Sequence, residues 1–567
     1  SRTAVHRHGQ QLGHQQPRLV RGWLVGQSTG TIARSWASGS VSGWTDVGGL
    51  VGLASGAITT SSASGAVTGG GSVVGGLVGN LYGTSLTNTY ATGSVTAFQE
   101  AGGLVGIIQV AGASINNSYA SGPVSSTSGS VYTSGLVGLS SVTFTASNSF
   151  WDVTTTGRSY GAASGGSGLT VAGFTGLTGI QGYTQATFTG AGWDFTNTWY
   201  MVDGSTRPLL RSEASTTLRT AHQLQLMSLN PTLNYALAND INLGSALSAT
   251  GEVWTSGGFS PIDNSGGSFA TTFDGGGHTI TGLTINRSVT SDVGFFTQLS
   301  GYVHDLTLTN VSVTGDTDVG GLAGSASGGN ITKVTVTGSI TGNSTVGGLL
   351  GSSAGLLLQT KADVLITASG TNVGGLAGSN GGTIQDSYAL GGIRTTAVGS
   401  GQAVGGLVGS NSGTIQDAYA QTALLGTVNA GGSAVGGLVG SNSGTVANTY
   451  SIGAVVITGT TTLGGLIGSN AGTASNSFYD TETSGLSAGV GSGTATGITG
   501  KTTAQLQTRS TLTGAGWDYT TPVWGMIDGT TLPYFTWEHS GGVQIVTGTA
   551  YSDAPAAVFL SPNGSAR

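Results

Sequence analysis

Asp274 and His278 are the two residues whose types and spacing come closest to a reactive pair, and three glycines separate them. A carboxylate beside an imidazole can carry out acid–base catalysis. The same run of glycines is also typical of a tight turn between two strands. Because no nucleophile motif stands nearby and the first half of the chain has no equivalent, we interpret the segment as a turn. We therefore assign no catalytic residue.

Histidine spacing tests for a zinc peptidase, which needs the order His-Glu-x-x-His on a helix. None of the seven histidines precedes a Glu, and the chain has no Cys, so neither a zincin motif nor a thiolate site exists. The residues that follow the histidines are Arg7, Gly9, Gln15, Gln223, Thr279, Asp305 and Ser540. We assign no metal ligand and no cofactor, although the tract holding His6, His8 and His14 has a composition that can bind metal.

Asp386 and Asp417 occupy one repeat position, 31 residues apart, that elsewhere holds Asn. The Asn members of this column are Asn88, Asn117, Asn148, Asn448 and Asn476. Stacked Asn side chains can hydrogen-bond from one repeat to the next, which is the structural interpretation that we favour. Two carboxylates about 5 Å apart would repel by about 3 kcal/mol at an effective dielectric of 20. The two Asp therefore lie at a wet turn, or share a proton, or bridge a cation such as calcium.

An aromatic residue follows two positions after each Asn or Asp of that column. These aromatic residues are Tyr90, Tyr119, Phe150, Tyr388, Tyr419, Tyr450 and Phe478. A row of rings could bind carbohydrate, but stacked rings more often pack in an interior. Each ring shares the parity of an aliphatic residue four positions earlier, so we expect the rings to point inward. Trp193 and Trp517 recur at corresponding places, and we interpret them as caps over the last coil of each half.

The composition limits the classes of protein to which the chain can belong. Of its 567 residues, 105 are Gly, and only 7% are charged, against roughly 25% in a typical globular protein. The glycines follow no every-third pattern, which excludes collagen. A hydrophobic fraction of 37% with a net charge of −7 argues against disorder. No apolar run is long enough for a membrane-spanning helix, and no basic stripe predicts nucleic-acid binding.

A repeat built on Val-Gly-Gly-Leu-Val-Gly organises the chain. Its leucines are Leu50, Leu77, Leu104 and Leu136 in the first half, and Leu322, Leu349, Leu376, Leu407, Leu438 and Leu466 in the second. Weaker copies stand at Leu24 and at Phe296. Spacings of 26 to 32 residues and a two-residue apolar period predict an all-β solenoid, with one coil of about 27 residues per repeat and about twenty coils. We expect the glycines to permit sharp turns with positive φ.

Corresponding motifs divide the chain into two halves. Asn-Ser-Phe-Trp-Asp152 and Asn-Ser-Phe-Tyr-Asp480 lie 328 residues apart, and similar offsets relate Asp194 to Asp518 and Asp203 to Asp528. The predicted domains are a disordered or foreign leader (1–21), a first solenoid with its cap (22–211), a second solenoid (212–540) and the start of a further module (541–567). The second solenoid divides into a lead-in segment (212–296), coils (297–480) and a cap (481–540). We expect antiparallel hairpins in the lead-in segment.

The Gly-Leu-x-Gly core, as in Gly406-Leu407-Val408-Gly409 and Gly437-Leu438-Val439-Gly440, resembles the GLUG motif. Such arrays occur in filamentous-haemagglutinin-like bacterial adhesins that are exported by two-partner secretion, and they also flank immunoglobulin A peptidases. The resemblance covers most of residues 22–540. It implies, with the right-handed rule for parallel crossovers, tandem right-handed parallel β-helices.

The resemblance implies a structural and adhesive stalk segment of a large secreted bacterial surface protein, and we expect no enzyme activity. The implied partners are a host-cell or extracellular-matrix receptor or glycan and an outer-membrane secretion partner, with neither nucleic acid nor membrane insertion. Two alternatives stay open. One is a carbohydrate-active enzyme on a β-helix, which needs clustered carboxylates that five Glu and 18 Asp supply only thinly. The other is a passenger region of a peptidase whose catalytic domain lies elsewhere.

Overall fold

A computed structural model describes residues 20–543, apart from 165–166, 170, 264–266, 397–400, 430, 461, 522, 540 and 542. Strands make up 49% of the chain and helices 9%, and parallel stacked coils form a β-solenoid of about 16 turns. The predicted all-β solenoid is confirmed. The turns are fewer than twenty because capping and lead-in segments contain helices and loops. The predicted leader, its three histidines and most of 541–567 lie outside the described residues.

The repeated leucines lie directly on one another, as the repeat predicts. The Leu50 amide donates to the Leu77 carbonyl at 2.9 Å, and Leu77 donates to Leu104 at the same distance. In the second half, the Leu407 amide donates to the Leu438 carbonyl at 2.8 Å, and Leu438 donates to Leu466 in the same way. All these leucine side chains are fully buried. Each repeat is therefore one coil, and its leucine enters a continuous core.

The first member of the second series is displaced by one residue from the sequence prediction. Phe296 pairs in register with Ala323, which places Phe295 rather than Phe296 opposite Leu322. Val293 still pairs with Val319. The degenerate repeat has therefore lost one glycine, because Val293 and Phe295 are separated by one Gly where Val319 and Leu322 are separated by two.

Glycine is needed beside the leucines because neighbouring coils approach closely there, and not because φ is positive. A Cβ placed on Gly406 would lie 2.1 Å from the carbonyl oxygen of Gly437, and one on Gly76 would lie 2.0 Å from that of Gly103. Neither Gly406 nor Gly76 has a positive φ. The expectation that these glycines adopt positive φ was wrong, since the space between stacked coils is the constraint.

The first stack comprises the coils between Arg21 and Leu177, whose four sheets are built by parallel pairing between successive coils. Its strands are Arg21–Gly22, Val47–Gly48, Val74–Gly75, Ala101–Gly102 and Thr133–Ser134; Val25–Ser28, Val51–Ala54, Val78–Tyr82, Val105–Val110, Val137–Ser140, Ala162–Ser164 and Ser167–Leu169; Ile32–Ala33, Trp36–Ala37, Ile58–Ala63, Ser85–Ala91, Ser114–Asn116, Tyr119–Ala120, Thr145–Ser147, Ser149–Asp152 and Phe174–Leu177; and Val41–Gly43, Val67–Gly69, Val95–Ala97 and Val124–Ser126.

The second stack comprises the coils between Thr217 and Lys501, in sheets of eighteen, eight and six strands. Its strands are Thr217–Leu218, Tyr235–Leu237, Ile241–Asn242, Thr272–Asp274, Thr279–Thr281, Thr284–Asn286, Tyr302–Thr314, Asn330–Gly342, Leu356–Leu358, Lys361–Ala368, Thr383–Thr395, Thr414–Ala420, Ala423–Thr427, Thr445–Ser451, Val455–Thr458, Thr473–Ser475, Ser477–Asp480 and Ile498–Lys501; Phe296–Leu299, Ala323–Ala326, Leu350–Ser353, Ala377–Asn380, Val408–Asn411, Val439–Asn442, Ile467–Asn470 and Val490–Gly493; and Thr317–Val319, Ser344–Gly347, Asn372–Gly374, Ala403–Gly405, Ala434–Gly436 and Leu463–Gly464.

Helices are short and lie in the cap and lead-in segments. The α-helices are Val153–Thr156, Gln185–Thr189, Ala221–Gln225, Leu243–Ser248, Thr481–Ser484, Thr503–Leu506 and Arg509–Thr513, and the 3₁₀ helices are Gly179–Tyr183, Arg211–Glu213 and Leu226–Leu229. Two antiparallel hairpins join Trp199–Tyr200 to Leu209–Leu210 and Trp524–Gly525 to Tyr534–Phe535. The paired strands of the lead-in segment run parallel, so the expected hairpins there were wrong.

The chain forms two compact units that divide between Lys501 and Thr502. Both stacks belong to the first unit, and the second contains the Trp524–Gly525 hairpin. The predicted domain limits stay predictions. Within the described residues, no helix is both long and apolar enough to cross a bilayer.

The longer spacing after Leu376 comes from extra residues at one corner. Ala368 pairs with Thr395, an offset of 27, whereas Asn372 pairs with Ala403, an offset of 31. The insertion therefore falls between Thr395 and Ala403, and the coils on either side keep their register. Extra residues at a solenoid corner are tolerated because they do not disturb the stacked strands.

Candidate functional site

A buried histidine between two glutamates is the most concentrated set of ionisable groups in the described structure. His222 lies in the helix Ala221–Gln225, which begins after the capping hydroxyl of Thr220. Its Nδ1 lies 3.1 Å from Oε2 of Glu213, and its Nε2 lies 3.0 Å from Oε2 of Glu252. All three side chains are at least nine-tenths buried. We call these three residues the His222 cluster.

The His222 cluster connects the first stack to the lead-in segment. Tyr90 of the first stack donates its hydroxyl to Oε1 of Glu213 at 2.6 Å, and Ser62 donates to the same oxygen at 3.0 Å. Thr92 donates to Oε1 of Glu252 at 3.0 Å. Every partner from the first stack therefore comes from one face of two neighbouring coils, and every ionisable member of the cluster comes from the lead-in segment.

Electrostatics keep the imidazole protonated at neutral pH. Burial alone would lower the pKa of His222, but the charge of Glu252 and hydrogen bonds to both glutamates raise that pKa to about 10. Burial, followed by the charge of Glu213, raises the pKa of Tyr90 well above its usual value. The cluster therefore holds one imidazolium between two carboxylates, and Tyr90 stays a neutral donor.

The His222 cluster is arranged for stability. Both ring nitrogens face carboxylates, so the imidazole offers no nitrogen to a substrate. A second buried ion pair lies nearby, with the Arg207 guanidinium 2.7 Å from Oδ2 of Asp152 and 4.4 Å from the ring centre of Tyr183. A cavity of about 10 Å³ beside Arg207 and Asp152 has room for about one water molecule. These groups position the first stack, its cap and the lead-in segment.

Sequence reasoning missed the His222 cluster, although a signal was present. Glu213 and Glu252 are two of only five glutamates in the chain, and both lie within 31 residues of His222. Rare charged residues close together in a chain with 7% charge indicate a buried ionic network. The sequence could not show which of them meet, because the loops between them set the geometry.

Asp274 and His278, the pair identified from the sequence, have different partners. Nδ1 of His278 lies 3.3 Å from Oδ1 of Asp240, whereas Oδ1 of Asp274 lies 3.5 Å from Nδ1 of His304. Gly276 and Gly277 have φ of +58° and +76°, which only a tight turn requires. The glycine run is thus a turn, and it orients the two side chains toward different neighbours.

Asp274, His304 and Asp305 form a set of potential metal ligands. Their donor atoms all lie within 4.8 Å of one another, and Nδ1 of His304 lies 2.9 Å from Oδ2 of Asp305. The His304 side chain is 20% exposed, and the two carboxylates are 41% and 44% exposed. The sequence analysis named Asp274 but missed the other two, since they lie on the next coil.

The Asn and Asp column is explained first by backbone conformation. All seven members have φ between 47° and 52°. Asn and Asp adopt this left-handed region more readily than other residues with a side chain. The expected ladder also exists in part, since Asn448 donates to Asp417 at 3.2 Å and Asn476 donates to Asn448 at 3.3 Å. Burial, followed by the charge of Asp417, raises the pKa of Asp386 to about 6.

A second asparagine ladder, which the sequence analysis missed, is fully buried. Asn380 donates Nδ2 to Oδ1 of Asn411 at 2.8 Å, Asn411 donates to Asn442 in the same way, and Asn442 donates to Asn470. None of the four is more than 2% exposed. The signal was the recurring Gly-Ser-Asn after each leucine in the second half. These amides satisfy one another inside the coil and fix the register of four coils.

The aromatic column is buried, but in the first half its rings lie outside the leucine core. Tyr90 and Tyr119 stack at 5.0 Å with planes 3° apart, and they pack with the cap and lead-in residues. Leu86 and Ala91 belong to the separate core that contains Leu50. The left-handed residue Asn88 turns the backbone between Leu86 and Tyr90, so the parity argument for inward rings failed.

The corresponding rings of the second half are also stacked and buried. Tyr419 lies 4.6 Å from Tyr388 and 4.9 Å from Tyr450, with planes 12° apart in each case. Their exposed fractions are 7% or less. A surface strip of rings for carbohydrate is therefore excluded at these positions, and the packing interpretation holds.

Trp193 covers the side of the aromatic column and not the end of the last coil. Its ring lies 6.3 Å from Tyr119 and 5.7 Å from Phe150, which belong to successive coils, and its Nε1 donates to the Asn148 carbonyl at 2.9 Å. The predicted end cap was therefore wrong for Trp193. Trp517 lies in the second unit, where it stacks on Trp524 at 4.7 Å.

The aspartates that recur between the two halves cap helices and turns. Asp152 accepts the amides of Thr154 and Thr155 at 2.8 and 2.9 Å, and Asp480 accepts those of the corresponding helix. Asp194 and Asp518 each accept two backbone amides of a turn, which lowers the pKa of both carboxyls. Their recurrence therefore reports a repeated cap structure, because a carboxylate at a helix start satisfies free amides.

One cleft of the described structure is large enough for a small ligand. It has a volume of about 420 Å³ and lies where the first cap, the lead-in segment and the first coil after it meet. Its polar lining includes Asp203, Asp263, Arg287 and Asp292. Burial lowers the pKa of Arg287, whose Nε has no hydrogen-bond partner among the described residues.

Comparison with known proteins gives three matches of different weight. Residues 315–341 match the family described as the GLUG motif. A 123-residue part of the chain, or 20% of it, is 44% identical to halomucin of Haloquadratum walsbyi and spans 1% of that protein. The crystal structure of a candidate immunoglobulin A1 protease from Bacteroides ovatus aligns with 56% of this chain and 91% of its own, at 19% identity and a TM-score of 0.33.

The matched segment 315–341 corresponds to one coil of the second stack. It contains Leu322, whose amide donates to the Leu349 carbonyl of the next coil at 3.0 Å, and the same contact recurs along the stack. The structural match has too low a TM-score to carry an argument, and the likeness to filamentous-haemagglutinin-like adhesins stays a prediction. The family match and the leucine ladder support the description of this chain as a GLUG repeat protein.

Proposed function

We propose that this chain is a structural and adhesive segment of a large secreted surface protein and that it catalyses no reaction. The observation that carries the proposal is the continuous ladder of leucines, which connects coil after coil by backbone hydrogen bonds. Such a stack spends its sequence on an interior and on regular corners. Load along the stack would be shared by many parallel backbone hydrogen bonds.

The similarity to halomucin supports an extracellular or surface location. The aligned part spans 1% of halomucin, so the whole protein's activity and partners are not carried over by this match. For this chain, the proposed partners are a receptor or glycan of another cell or of the extracellular matrix. An outer-membrane secretion partner is proposed from the resemblance to two-partner adhesins.

The roles of the ionisable residues support the absence of catalysis. The most buried groups neutralise one another in the His222 cluster, and the recurring aspartates accept backbone amides. Catalytic groups need access to substrate and a pKa near the working pH. The His222 side chain meets neither requirement, since it is buried and its pKa is about 10.

Binding and turnover should be measured on the same purified chain. We expect saturable binding to a subset of glycans on an array or to cultured cells, and no release of reducing ends from a polysaccharide panel. A matched sample unfolded by heat controls for non-specific adsorption of a glycine-rich chain. Turnover above that control would defeat the proposal, and so would binding that the unfolded sample reproduces.

The cleft favours one second candidate, a carbohydrate-active enzyme. Asp203, Asp263 and Asp292 line about 420 Å³ of space, which lies within the usual range of ligand pockets. A glycosidase needs two carboxyl groups about 5–9.5 Å apart. This candidate predicts release of sugar by the wild type that is lost in Asp263→Asn and kept in the exposed variant Asp363→Asn.

A further inference from the structure

We propose that Asp274, His304 and Asp305 form a site for a divalent transition-metal ion, with Zn²⁺ as the best-fitting ion. The three donor atoms already lie within 4.8 Å of one another. Nδ1 of His304 lies 3.5 Å from Oδ1 of Asp274 and 2.9 Å from Oδ2 of Asp305. The site is independent of the proposed adhesive function.

The fold brings the three residues together for two separate reasons. Asp274 and His304 are direct register partners on adjacent parallel strands, Thr272–Asp274 and Tyr302–Thr314. Register partners on neighbouring strands point to the same face. Asp305 would point to the opposite face in a regular strand, but its φ of +50° breaks the alternation. The left-handed residue therefore turns two successive side chains toward Asp274.

The ligands are also held in place by their neighbours. The His304 ring stacks on Tyr302 with centres 4.5 Å apart. Oδ1 of Asp274 accepts the amide of Gly276 at 2.8 Å, in the glycine turn that follows it. Groups that restrain ligand rotamers lower the entropic cost of binding a metal.

The distances agree with tetrahedral zinc. Zinc binds imidazole nitrogen at about 2.0–2.1 Å and carboxylate oxygen at about 2.0–2.2 Å, so two ligands of a tetrahedron are about 3.3–3.5 Å apart. The observed distances of 2.9 and 3.5 Å lie within about 0.5 Å of this range. Two carboxylates and a neutral imidazole carry a charge of −2, which one Zn²⁺ neutralises. The fourth position would be left to water.

The ligand set favours zinc over calcium. Calcium takes six to eight oxygen ligands, whereas this site offers one nitrogen and two carboxylates. Imidazole with carboxylate suits zinc and similar first-row ions. The other ionisable groups of this turn, Asp240 and His278, pair with each other at 3.3 Å.

A bound ion would connect the last coil of the lead-in segment to the next coil. Asp274 belongs to one coil, and His304 and Asp305 belong to the other. Because the ion would bind the folded chain and not the unfolded one, it would stabilise the start of the second stack. The site would thus act as a metal clasp between two coils.

The test is calorimetric titration of the full chain with ZnCl₂, together with the visible spectrum of the Co²⁺-loaded protein. We expect one equivalent of Zn²⁺ that is lost in His304→Ala, and an affinity reduced by at least about tenfold in Asp274→Asn. The Co²⁺ spectrum should show the intense bands of a tetrahedral site, and the thermal midpoint should rise when Zn²⁺ is added.

His539→Ala is the matched control, because His539 has the same 20% side-chain exposure as His304 but faces a single carboxylate, Glu538, at 3.9 Å. It should leave this equivalent unchanged, and comparison between variants separates the site from the leader histidines. Far-UV spectra without metal would verify that each variant is folded. Equal zinc stoichiometry in the wild type and His304→Ala, or a purely octahedral Co²⁺ spectrum of the wild type, would overturn the proposal.

Discussion

At the scale of single residues, one backbone conformation explains a whole column of the sequence. Seven Asn and Asp residues recur because each adopts a φ near +50° at one corner of its coil. An isolated side chain other than Asn, Asp or Gly would be strained there. The side-chain ladder along this column is a secondary gain, since Asn donates to a neighbour and Asp only accepts.

Asp386→Asn should stabilise the protein above neutral pH. The folded pKa of about 6 exceeds the usual value of about 3.9, so the folded state holds a proton more tightly than the unfolded state does. Stability from this group is present below about pH 4 and is lost as the pH rises through about 6. Asn tolerates the same φ and donates where the carboxylate repels. Denaturant unfolding at pH 5 and pH 8 measures the effect.

We expect Asp386→Asn to gain on the order of 1 kcal/mol at pH 8, since the site is partly open to solvent. The exposed variant Asp363→Asn serves as the control and should leave the pH dependence unchanged. A loss of stability at pH 8 in Asp386→Asn would show that a cation, and not a proton, relieves the repulsion with Asp417.

Asn411→Ala should destabilise the second stack by about 2–3 kcal/mol. The change removes two amide bonds of 2.8 Å and leaves the donor of Asn380 and the acceptor of Asn442 without their ladder partner. Chemical unfolding checks the prediction. Ser410→Ala, at the neighbouring half-buried position, is the control and should cost less than about 1 kcal/mol. Equal losses in both variants would contradict a role for the ladder.

At the scale of elements, contact between coils is set by glycines, and contact between segments is set by buried charge. The coils approach until a carbonyl of one occupies the place of a Cβ in the other. The lead-in segment is fixed to the first stack by Glu213 and Glu252, which accept hydroxyl groups from Tyr90 and Thr92. Packing therefore determines the spacing of coils, while hydrogen bonds determine how the lead-in segment is seated.

Gly406→Ala should prevent normal stacking at its coil. The added Cβ would lie 2.1 Å from the Gly437 carbonyl oxygen, so the backbone must move, and we expect a loss of at least about 3 kcal/mol or failure to fold. Gly328→Ala is the matched control, because its Cβ would meet nothing within 4 Å and its φ is not positive. That variant should change stability by less than about 0.5 kcal/mol in urea unfolding.

His222→Gln should destabilise the first unit by about 3–5 kcal/mol at pH 7, because two buried carboxylates would lose the cation between them. The folded pKa of about 10 exceeds the unfolded value of about 6.5. The stabilisation from His222 is therefore complete below about pH 6.5 and is lost as the pH rises through about 10.

Denaturant unfolding of the wild type at pH 7 and pH 9.5 should show this loss, and His222→Gln should lack it. His278→Gln is the control, since its ring is 36% exposed and pairs with a single exposed carboxylate. Wild-type stability that is the same at both pH values would contradict the assigned protonation of the cluster.

At the scale of the whole molecule, the low content of charge concentrates electrostatics in a few buried places. Only 7% of residues are charged, and the strongest pairs, Arg207–Asp152 and the His222 cluster, are shielded from solvent. Stability then rests on the apolar core and on the backbone ladders between coils. Surface ion pairs, which are worth little individually, contribute little to the total.

The thermal midpoint should therefore be nearly independent of NaCl between about 0.1 M and about 1 M. Over this range the screening length falls from about 10 Å to about 3 Å, which affects exposed charges and spares buried ones. Differential scanning calorimetry of the wild type measures the midpoint. The same experiment on His222→Gln is the control for the buried network. A large fall of the wild-type midpoint with salt would contradict this assignment of stability.

The sequence by itself determined the coil, its length and its register. A leucine that recurs every 26 to 32 residues, with Asn or Asp at a fixed distance after it, can only be satisfied by stacking like on like, because one coil cannot bury its own apolar face. Gly-Ser-Asn carried the signal for the buried ladder from Asn380 to Asn470, although only its position inside the coil explains it.

Tertiary structure alone decided which side of the coil the aromatic rings cover and which charged residues meet. Parity along a strand fails where a left-handed residue intervenes, as Asn88 and Asp305 show. Glu213, His222 and Glu252 come together through loops whose paths no local pattern records. Periodic contacts repeat in the sequence and so can be read from it, whereas contacts between a stack and the segment folded against it occur once and leave no period.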